Sequence, residues 1–437
     1  MSSPRILICG AGFGGLTAAR TLGERFSRSR LSGEILLIDK ENYHLFQPLL
    51  YQVATAGLSG PDIAIPIRSI LRRYPQIRVR MGNIQGFDLS AQLVLLEGSA
   101  VAYDSLILSL GATTSYFGRV SWAEHAVGLK SLADAHRIRS RLLLAFEEAE
   151  CTEDADRREE LLTVVIVGGG PTGVELAGAI AELARHVLRR DFRRIDPTKA
   201  RILLLEAGPR LLNQFPEKLG RVAERKLREL GVDVRLLSPV RDLGEGSVVL
   251  PTETIRAANI VWTAGIAPHP LTAALPAPHD RSGRLLVHPD LSLPGYPNVF
   301  AIGDMVSVPG VPAIAPAAMQ MGRHVADLVA NALSFGSAPP EKRPHFRYRD
   351  KGMMATIGRA SAVAWIGKAT FNGPAAWIAW LTIHLVFLIG FRNKAVVLFE
   401  WIWSYLTYGL GARIILPSEE TASPTRRSPS DSSSTEG

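Results

Sequence analysis

The stretch Val164-Val-Ile-Val-Gly-Gly-Gly-Pro-Thr-Gly-Val-Glu175 decides how the rest of the chain is interpreted. A β-branched apolar run leads into Gly168, Gly170 and Gly173, and a helical pattern follows. At this spacing the first glycine permits a tight turn, the second lets the backbone approach a pyrophosphate, and the third lets helix and strand pack closely. The anion then lies at the positive end of the helix, against unpaired amides. The stretch therefore predicts a dinucleotide-binding strand–loop–helix.

The same arrangement opens the chain. Arg5-Ile-Leu-Ile-Cys9 has the composition of a short buried strand, and Gly10, Gly12 and Gly15 follow at the same spacing. The run from Leu16 to Leu22 then has a helical pattern. One such match is a weak signal, but two in one chain indicate a duplicated domain.

Each copy continues in the same way. A second apolar strand ends in Asp39 in the first copy and in Glu206 in the second, where a carboxylate can accept two hydrogen bonds from ribose hydroxyls. Later strands end at Gly111, 101 residues after Gly10, and at Gly265, 97 residues after Gly168. The sequence therefore predicts an α/β fold with two Rossmann-like dinucleotide-binding domains, the second inserted in the first.

Length and composition bound the remaining possibilities. The 437 residues suffice for two or three domains with their own cores. The net charge of +8 suits an anionic membrane surface or anionic cofactors, although solvated surface arginines explain it as well. Cys9 lies in the first strand and Cys151 in a charged stretch, so we expect no disulfide and a reducing compartment. We find no secretory signal, nucleic-acid module or metal-binding motif.

The motif positions divide the chain into six segments. They are the first part of one nucleotide-binding domain at 1–115, a connector at 116–160 with a charged amphipathic helix over 130–160, the second nucleotide-binding domain at 161–275, the return to the first domain at 276–335, a membrane-associating region at 336–417, and a tail at 418–437. Helices are predicted from Phe215 to Leu230 and from Ala315 to Leu333. The tail is rich in Ser, Thr and Pro and is predicted to be disordered.

The C-terminal region has the composition of a membrane surface. Residues 374–391 form an 18-residue run without a formal charge, and 395–416 are apolar and aromatic, interrupted by Glu400 and Arg413. Five of the seven tryptophans lie between 365 and 403, and tryptophan favours the membrane interface. We expect amphipathic helices that lie in one leaflet. A spanning helix and a soluble oligomer interface or buried core are the alternatives.

These features together resemble one flavoprotein family. Beside the two glycine motifs, its markers here are Phe46-Gln-Pro-Leu-Leu-Tyr-Gln52, Ala301-Ile-Gly-Asp304, the segment from Ala315 to Gly322 and the amphipathic C-terminal end. The segment from Asn42 to Gly57 lacks clean periodicity, which favours a functional loop. Over roughly residues 4–416 the chain resembles a type II NADH dehydrogenase, the single-chain flavoprotein NADH:quinone oxidoreductase.

The resemblance implies FAD in the first domain and NADH in the second. Asp39 would bind the adenosine ribose of FAD and Asp304 its ribityl chain, although Asp304 also suits a helix N-cap. Glu206 would bind the NADH ribose and repel a 2′-phosphate, whereas Arg210 would accept that phosphate unless it is a solvated surface charge. The cofactor-binding residues implied are Gly10, Gly12, Phe13, Gly14, Gly15, Asp39, Lys40, Gln47, Gly111, Ala112, Gly168, Gly170, Pro171, Thr172, Gly173, Glu206, Gly265, Gly303, Asp304 and Ala318.

Two residues are the catalytic candidates. The family places a glutamate at the position of Glu175, near nicotinamide and flavin, where it orients the nicotinamide and relays protons; a carboxylate favoured there by the helix dipole is the alternative. The family's Ala-Gln-x-Ala-x-Gln pattern lines the quinone pocket, which implies that Gln320 contacts quinone. The first glutamine is Pro316 here, and a proline has no amide to donate. Lys394 lies either at the mouth of the site or at the interface as an anchor.

The resemblance also implies the partners and the location. We expect a membrane quinone, a membrane surface and a possible homodimer, with the protein peripheral and monotopic on the cytoplasmic face of the cell membrane. No spanning proton path is visible, so NADH would be oxidised without proton pumping. A soluble-acceptor NAD(P)H reductase and a non-catalytic, membrane-tethered flavin redox sensor are the alternatives. Relatives that use redox cysteines are disfavoured because Cys9 and Cys151 do not form the close pair that they need.

Overall fold

The computed structural model describes residues 3–407, 409 and 411–415. The tail predicted at 418–437 lies outside these residues. The described α-helices are α1 Phe13–Ser29, α2 Leu50–Ala54, α3 Gly60–Ile63, α4 Ile67–Leu71, α5 Trp122–His125, α6 Leu132–Cys151, α7 Ala155–Leu161, α8 Pro171–Glu182, α9 Glu217–Glu229, α10 Ala315–Phe335, α11 Gly373–Phe387 and α12 Phe391–Thr407.

Most of the β-strands are short. They are β1 Arg5–Cys9, β2 Glu34–Asp39, β3 Tyr43–Leu45, β4 Ala64–Pro66, β5 Ile77–Met81, β6 Ile84–Asp88, β7 Leu93–Leu96, β8 Ser99–Ala102, β9 Ser105–Leu108, β10 Ala112–Thr114, β11 Val127–Gly128, β12 Thr163–Val167, β13 Arg201–Leu205, β14 Val232–Arg235, β15 Asp242–Gly244, β16 Ser247–Val249, β17 Thr254–Arg256, β18 Asn259–Trp262, β19 Ile266–Pro268, β20 Leu285–Leu286, β21 Ser292–Leu293, β22 Tyr296–Ala301, β23 Val306–Ser307, β24 Met353–Thr356, β25 Ala362–Ile366 and β26 Ala369–Asn372.

Two largely parallel sheets carry the fold. The first has the order β21-β22-β9-β1-β2-β5, and only the edge strand β21 is antiparallel to its neighbour. The second has the order β11-β18-β12-β13-β14 and is parallel throughout. The strands of the second sheet fall, in sequence, between β9 and β21 of the first. This arrangement confirms the predicted α/β fold with one nucleotide-binding unit inserted in the other.

The sheets form because their strands are short, continuous apolar runs. All five residues of β12 are buried, as are four of the five in β1, which is the pattern of strands covered on both faces. The buried side chains around the first sheet form one cluster with the inner faces of α1 and α10. Those around one face of the second sheet join α6, α8 and α9. Each sheet therefore has its own core. The exact domain boundaries at 115, 160, 275 and 335 stay predictions.

The helix predicted over 130–160 is two helices. Leucine, alanine and isoleucine on one face of α6 are buried, and α6 ends at Cys151. Thr152 is extended, and the carboxylate of Asp154 then caps the amides of Asp156 and Arg157 at the start of α7. Aspartate competes for backbone amides in this way, so it starts a new helix rather than continuing the old one.

The C-terminal region folds onto the second nucleotide-binding unit. Strands β24, β25 and β26 form an antiparallel sheet, followed by α11 and α12. Ala355, Val363, Trp380 and Trp401 are buried in the same cluster as the side chains of α8. Along the described part of the chain, no helix is long and apolar enough to cross a membrane.

Candidate active site

The two glycine loops have the same backbone geometry. Gly10 and Gly168 have φ of +98° and +113°, which side-chain-bearing residues rarely adopt. A Cβ atom on Gly15 would lie 1.9 Å from the carbonyl oxygen of Gly10, and one on Gly173 would lie 1.9 Å from that of Gly168. The third glycine of each motif therefore permits the close approach of helix and strand that the sequence predicts.

The second glycine of each motif faces open space. A Cβ atom on Gly12 or on Gly170 would have no neighbouring atom within 4 Å. Both glycines line one large cavity. Each loop therefore offers bare backbone to a ligand at the N-terminus of a helix, the arrangement that suits a pyrophosphate.

The predicted ribose-binding acids lie beside these loops. Asp39 accepts hydrogen bonds from the amides of Ala11, at 2.5 Å, and Glu41, at 2.8 Å. Glu206 accepts from the amides of Gly169, at 2.7 Å, and Gly208, at 2.6 Å. Each carboxylate thus stabilises its glycine loop by accepting hydrogen bonds from loop amides, and it also lines the cavity. Burial raises the pKa of Asp39, and the loop amides partly offset this by stabilising its charge.

The two loops share one cavity of about 2060 Å³. Of the predicted site residues, nineteen line it: Gly10, Gly12, Phe13, Gly14, Asp39, Lys40, Gln47, Gly111, Ala112, Gly168, Gly170, Pro171, Thr172, Glu175, Glu206, Gly265, Gly303, Asp304 and Ala318. Gly15 and Gly173 lie beneath their loops, and Gln320 also lies outside the lining. The cavity is large enough for several ligands at once, since a pocket for one small molecule measures roughly 300–1,000 Å³.

Asp304 lies deep in this cavity, in a short turn after β22. It does not cap α10, because that helix starts at Ala315 with Ile314 at its N-cap. Burial raises the pKa of Asp304, and the charges of Lys130 and Arg284 oppose the rise. Lys130 also lines the cavity, and burial lowers the pKa of its ammonium. The sequence does not point to Lys130, which follows β11 without any motif.

Glu175 lies on the first turns of α8, where its remaining exposed surface faces the cavity. Burial raises the pKa of its carboxyl to about 8. The Thr356 amide donates to it at 3.3 Å and opposes the rise. The Trp380 indole N–H also lowers this pKa, although it makes no hydrogen bond of normal geometry with any described group. Glu175 is therefore mostly protonated at pH 7.

The structure does not bring Gln320 to the cavity. Its amide nitrogen donates to the Arg349 carbonyl at 3.0 Å, and its amide oxygen accepts from the Arg349 amide at 2.9 Å. This two-way pair holds the segment before β24 against α10. Pro316 and Met319 line the cavity instead. Only the fold places Arg349 beside Gln320, so the sequence pattern had no means of showing this pair.

The segment from Phe46 to Gln52 links the cavity to the C-terminal helices. Gln52 donates to the Tyr51 hydroxyl at 2.9 Å and accepts from the Trp401 indole at 2.8 Å. Tyr51 is buried, which raises its pKa, and its ring meets Trp380 edge-on. The unusual composition of this segment is explained by these contacts, which place α2 between α8 and α12.

Apolar side chains of α11 form one end of the cavity. Ile383, Val386 and Phe387 line it, together with Met353 and Met354 of β24. The ammonium of Lys394 donates to the Val386 carbonyl at 2.8 Å and so caps the last turn of α11. Lys394 thus lies at the rim of this end of the cavity.

Comparison with known proteins identifies the family. The sequence profile described as pyridine nucleotide-disulphide oxidoreductase matches residues 4–322. The type II NADH:quinone oxidoreductase Ndh of Mycobacterium tuberculosis is 44% identical over 96% of this chain and 91% of its own length. Its NdhA counterpart from the same organism is 43% identical over 94% of this chain and 89% of its own length.

This chain belongs to the type II NADH:quinone oxidoreductase family. The structure of NDH2 from Plasmodium falciparum in complex with NADH has the same fold, with a TM-score of 0.83 at 19% identity. That likeness covers 95% of this chain and 100% of the Plasmodium chain. The 44% identity with Ndh confirms the family that the glycine motifs, the segments 46–52, 301–304 and 315–322, and the C-terminal end indicate.

The cysteines of this type II chain do not form a redox pair. The chain has two cysteines, and neither lines the cavity. Cys9 is buried in β1, where burial raises the pKa of its thiol, and Cys151 is exposed at the end of α6. A disulfide-exchange site needs an accessible thiolate beside the cofactors, and the accessible cysteine, Cys151, does not line the cavity. The disulphide chemistry in the profile's description therefore has no support here.

Proposed function

We propose that this chain oxidises NADH and reduces a membrane quinone without pumping protons. One observation carries the proposal: a single cavity joins both glycine loops, Glu175 and the apolar end formed by α11. A nucleotide bound at the loops and a lipophilic acceptor bound at the apolar end would therefore occupy the same cavity. Their reacting atoms can approach each other there, which is the main contribution a protein makes to cofactor chemistry.

We infer that the first loop holds FAD. The bare backbone at Gly12 and the positive φ at Gly10 fit a pyrophosphate, with Asp39 placed for the adenosine ribose. Asp304 and Lys130 carry opposite charges that influence each other and both line the same cavity, which suits the hydroxyls of a ribityl chain. Bound there, FAD would accept a hydride from NADH and pass two electrons to the quinone.

The second loop is our proposed NADH site. Glu206 lies where the ribose of the adenosine half would bind, and its negative charge would repel a 2′-phosphate. Arg210 is partly exposed and donates to the Asn213 carbonyl at 2.8 Å. We therefore expect NADH to be preferred over NADPH, with Arg210 acting as a surface residue.

Glu175 is the proposed proton donor to the quinone. The reaction NADH + H⁺ + quinone → NAD⁺ + quinol consumes one proton from water in each turnover. Glu175 is protonated at neutral pH and also lines a second cavity of about 80 Å³, behind α8, with Glu182 and Tyr405. One water needs roughly 10–15 Å³ of such space, so this cavity has room for several. Those waters would reprotonate Glu175 while ligands fill the main cavity.

We propose that α11 and α12 dock on the cytoplasmic face of the cell membrane. Exposed apolar side chains lie along both helices: Phe391 is 89% exposed and Leu406 78% exposed, and Val386, Phe399 and Trp403 are exposed as well. An apolar surface of this extent marks a membrane or protein contact. Because the same helices line the apolar end of the cavity, a quinone would pass from lipid to Glu175 without crossing water. A homodimer on this surface is the competing arrangement.

An anaerobic spectral titration tests the function. We expect NADH to bleach the flavin absorbance of the purified protein, and a soluble quinone analogue to restore it rapidly. Bleaching without recovery on quinone addition would favour a reductase for a soluble acceptor. A protein that shows no flavin band after reconstitution with FAD would contradict the proposal at its first step.

A further inference from the structure

His384 on α11 is a polar side chain at the apolar end of the cavity, outside every role assigned above. Its ring stacks on Trp380 at 4.0 Å and meets Phe46 edge-on at 6.2 Å. Ile383 and Phe387, its neighbours on the helix, line the same part of the cavity. An imidazole held between aromatic rings has a fixed orientation. Each of its two nitrogens therefore stays in its own surroundings.

The hydrogen bond of Nδ1 determines the tautomer. Nδ1 lies 2.7 Å from the carbonyl oxygen of Trp380, one turn earlier in α11. A carbonyl oxygen has no hydrogen to donate, so Nδ1 must carry the ring hydrogen. Nε2 is then a lone-pair acceptor. It makes no hydrogen bond within the described residues, and His384 lines the cavity.

The surroundings keep this ring neutral. Burial lowers the pKa of His384 to about 4, and the Trp380 carbonyl only partly offsets the effect. Near pH 7, therefore, His384 offers the cavity an acceptor and no donor.

An acceptor discriminates between the two redox forms of a quinone. The oxidised form has two carbonyl oxygens, which only accept hydrogen bonds, whereas the quinol has two hydroxyl groups, which also donate. A quinone carbonyl placed against Nε2 would leave two lone pairs facing each other. Such sites reject a ligand that lacks the matching hydrogen-bond group.

We propose that Nε2 of His384 accepts a hydrogen bond from a hydroxyl of the bound quinol and makes this end of the cavity selective for the reduced ring. This inference rests on the quinone-reductase function proposed above and deepens it. Tighter binding of the product form makes the bound quinone easier to reduce. His384 also supplies a polar contact in a cavity where Pro316 has no amide to offer.

A pair of ring analogues tests the proposal. 2-Methyl-1-naphthol carries the hydroxyl of a quinol, and its methyl ether has the same ring without the donor. Both are measured as inhibitors of quinone reduction by the membrane-bound holoenzyme. We expect the wild type to bind the phenol about fivefold more tightly than the ether, the size of one net hydrogen bond. His384→Phe retains an aromatic ring against Trp380, and the preference should fall to about one.

Control measurements distinguish the role of His384 from the proposed quinone-reductase function. Thr382→Ala, on the exposed side of α11, should keep the fivefold preference. Flavin content and NADH:ferricyanide activity show that each variant is folded. If His384→Phe still prefers the phenol over the ether, or if the wild type shows no such preference, the role of His384 is overturned even though the enzyme reduces quinone. Loss of the proposed function would appear differently, as a wild-type protein that oxidises NADH with ferricyanide but not with quinone.

Discussion

At the scale of single residues, Glu175 is largely protonated at neutral pH and borders the cavity that both glycine loops share. We expect Glu175→Gln to slow quinone turnover about tenfold or more, because an amide cannot donate a proton, while FAD stays bound. Steady-state rates with quinone and the flavin-to-protein absorbance ratio check this. Glu245→Gln, an exposed matched substitution, should leave both unchanged; equal rates in the two variants would contradict the role of Glu175.

The same substitution should change how stability depends on pH. The pKa of Glu175 rises from 4.5 to about 8, so between these values the native state holds a proton that the unfolded state has lost. Stability therefore falls as pH rises through this window, and Glu175→Gln removes the loss. We expect the variant to be more stable by about 2 kcal/mol at pH 8, less than the full shift implies because the carboxyl borders a cavity open to water.

Thermal unfolding at pH 4.5, 6 and 8 measures this effect. The melting temperature of Glu175→Gln should match that of the wild type at pH 4.5 and exceed it increasingly toward pH 8. The difference between the two proteins is the relevant quantity, because large chains with several cores often unfold in more than one step. A difference independent of pH would show that Glu175 ionises normally.

Glu206 should control the choice between NADH and NADPH. Glu206→Gln removes the charge that repels a 2′-phosphate, while its amide oxygen can still accept from one loop amide. The ratio of kcat/KM for NADH to that for NADPH should fall about tenfold. Adding Arg210→Ala then distinguishes the two interpretations of that residue: a further loss with NADPH means that Arg210 binds the phosphate. An unchanged ratio in Glu206→Gln would place the ribose elsewhere.

At the scale of elements, the packing of α10 against α1 shapes the first glycine loop. A Cβ atom on Gly322 would lie 2.3 Å from the carbonyl oxygen of Gly14, a backbone atom that cannot move without distorting the loop. Gly322→Ala should therefore destabilise the protein by about 1–3 kcal/mol and lower its flavin content. Asn331→Ala, on the exposed face of α10, is the matched control. Full flavin content and an unchanged melting temperature in Gly322→Ala would contradict this packing argument.

At the scale of the whole molecule, the outer face of α11 and α12 should determine whether the protein binds to a membrane. The double substitution Phe391→Glu and Leu406→Glu places two charges on this face and should abolish co-sedimentation with anionic lipid vesicles. Activity with a long-chain quinone should fall with it, whereas activity with ferricyanide should remain. Phe335→Glu, equally exposed at the end of α10, should bind vesicles as the wild type does.

Analytical ultracentrifugation of the same proteins tests the homodimer. If α11 and α12 formed a dimer interface instead, the wild type would sediment as a dimer in the absence of lipid, and the double variant would be monomeric. A monomeric wild type that binds vesicles would support the membrane surface.

Much of the architecture could be predicted from the sequence because it is encoded locally. A glycine at a fixed distance from a buried strand determines the turn whatever surrounds it, so both loops have the predicted backbone geometry and Asp39 and Glu206 lie beside them. The ligand-binding roles of these acids stay predictions. Helix boundaries were predicted less accurately from the sequence. The aspartate cap at Asp154 divides a run that hydrophobic periodicity alone would make one continuous helix.

By itself, then, the sequence determined the two nucleotide-binding units, their insertion and the position of Glu175, because each depends on residues within a few positions of one another. Only the tertiary structure decided which side chains share the cavity. It pairs Gln320 with Arg349, turns Lys130 toward the cavity of Asp304 and joins Trp401 to Gln52 across 349 residues of chain. Such contacts depend on how separate elements pack, and no periodicity or spacing along the chain encodes that packing.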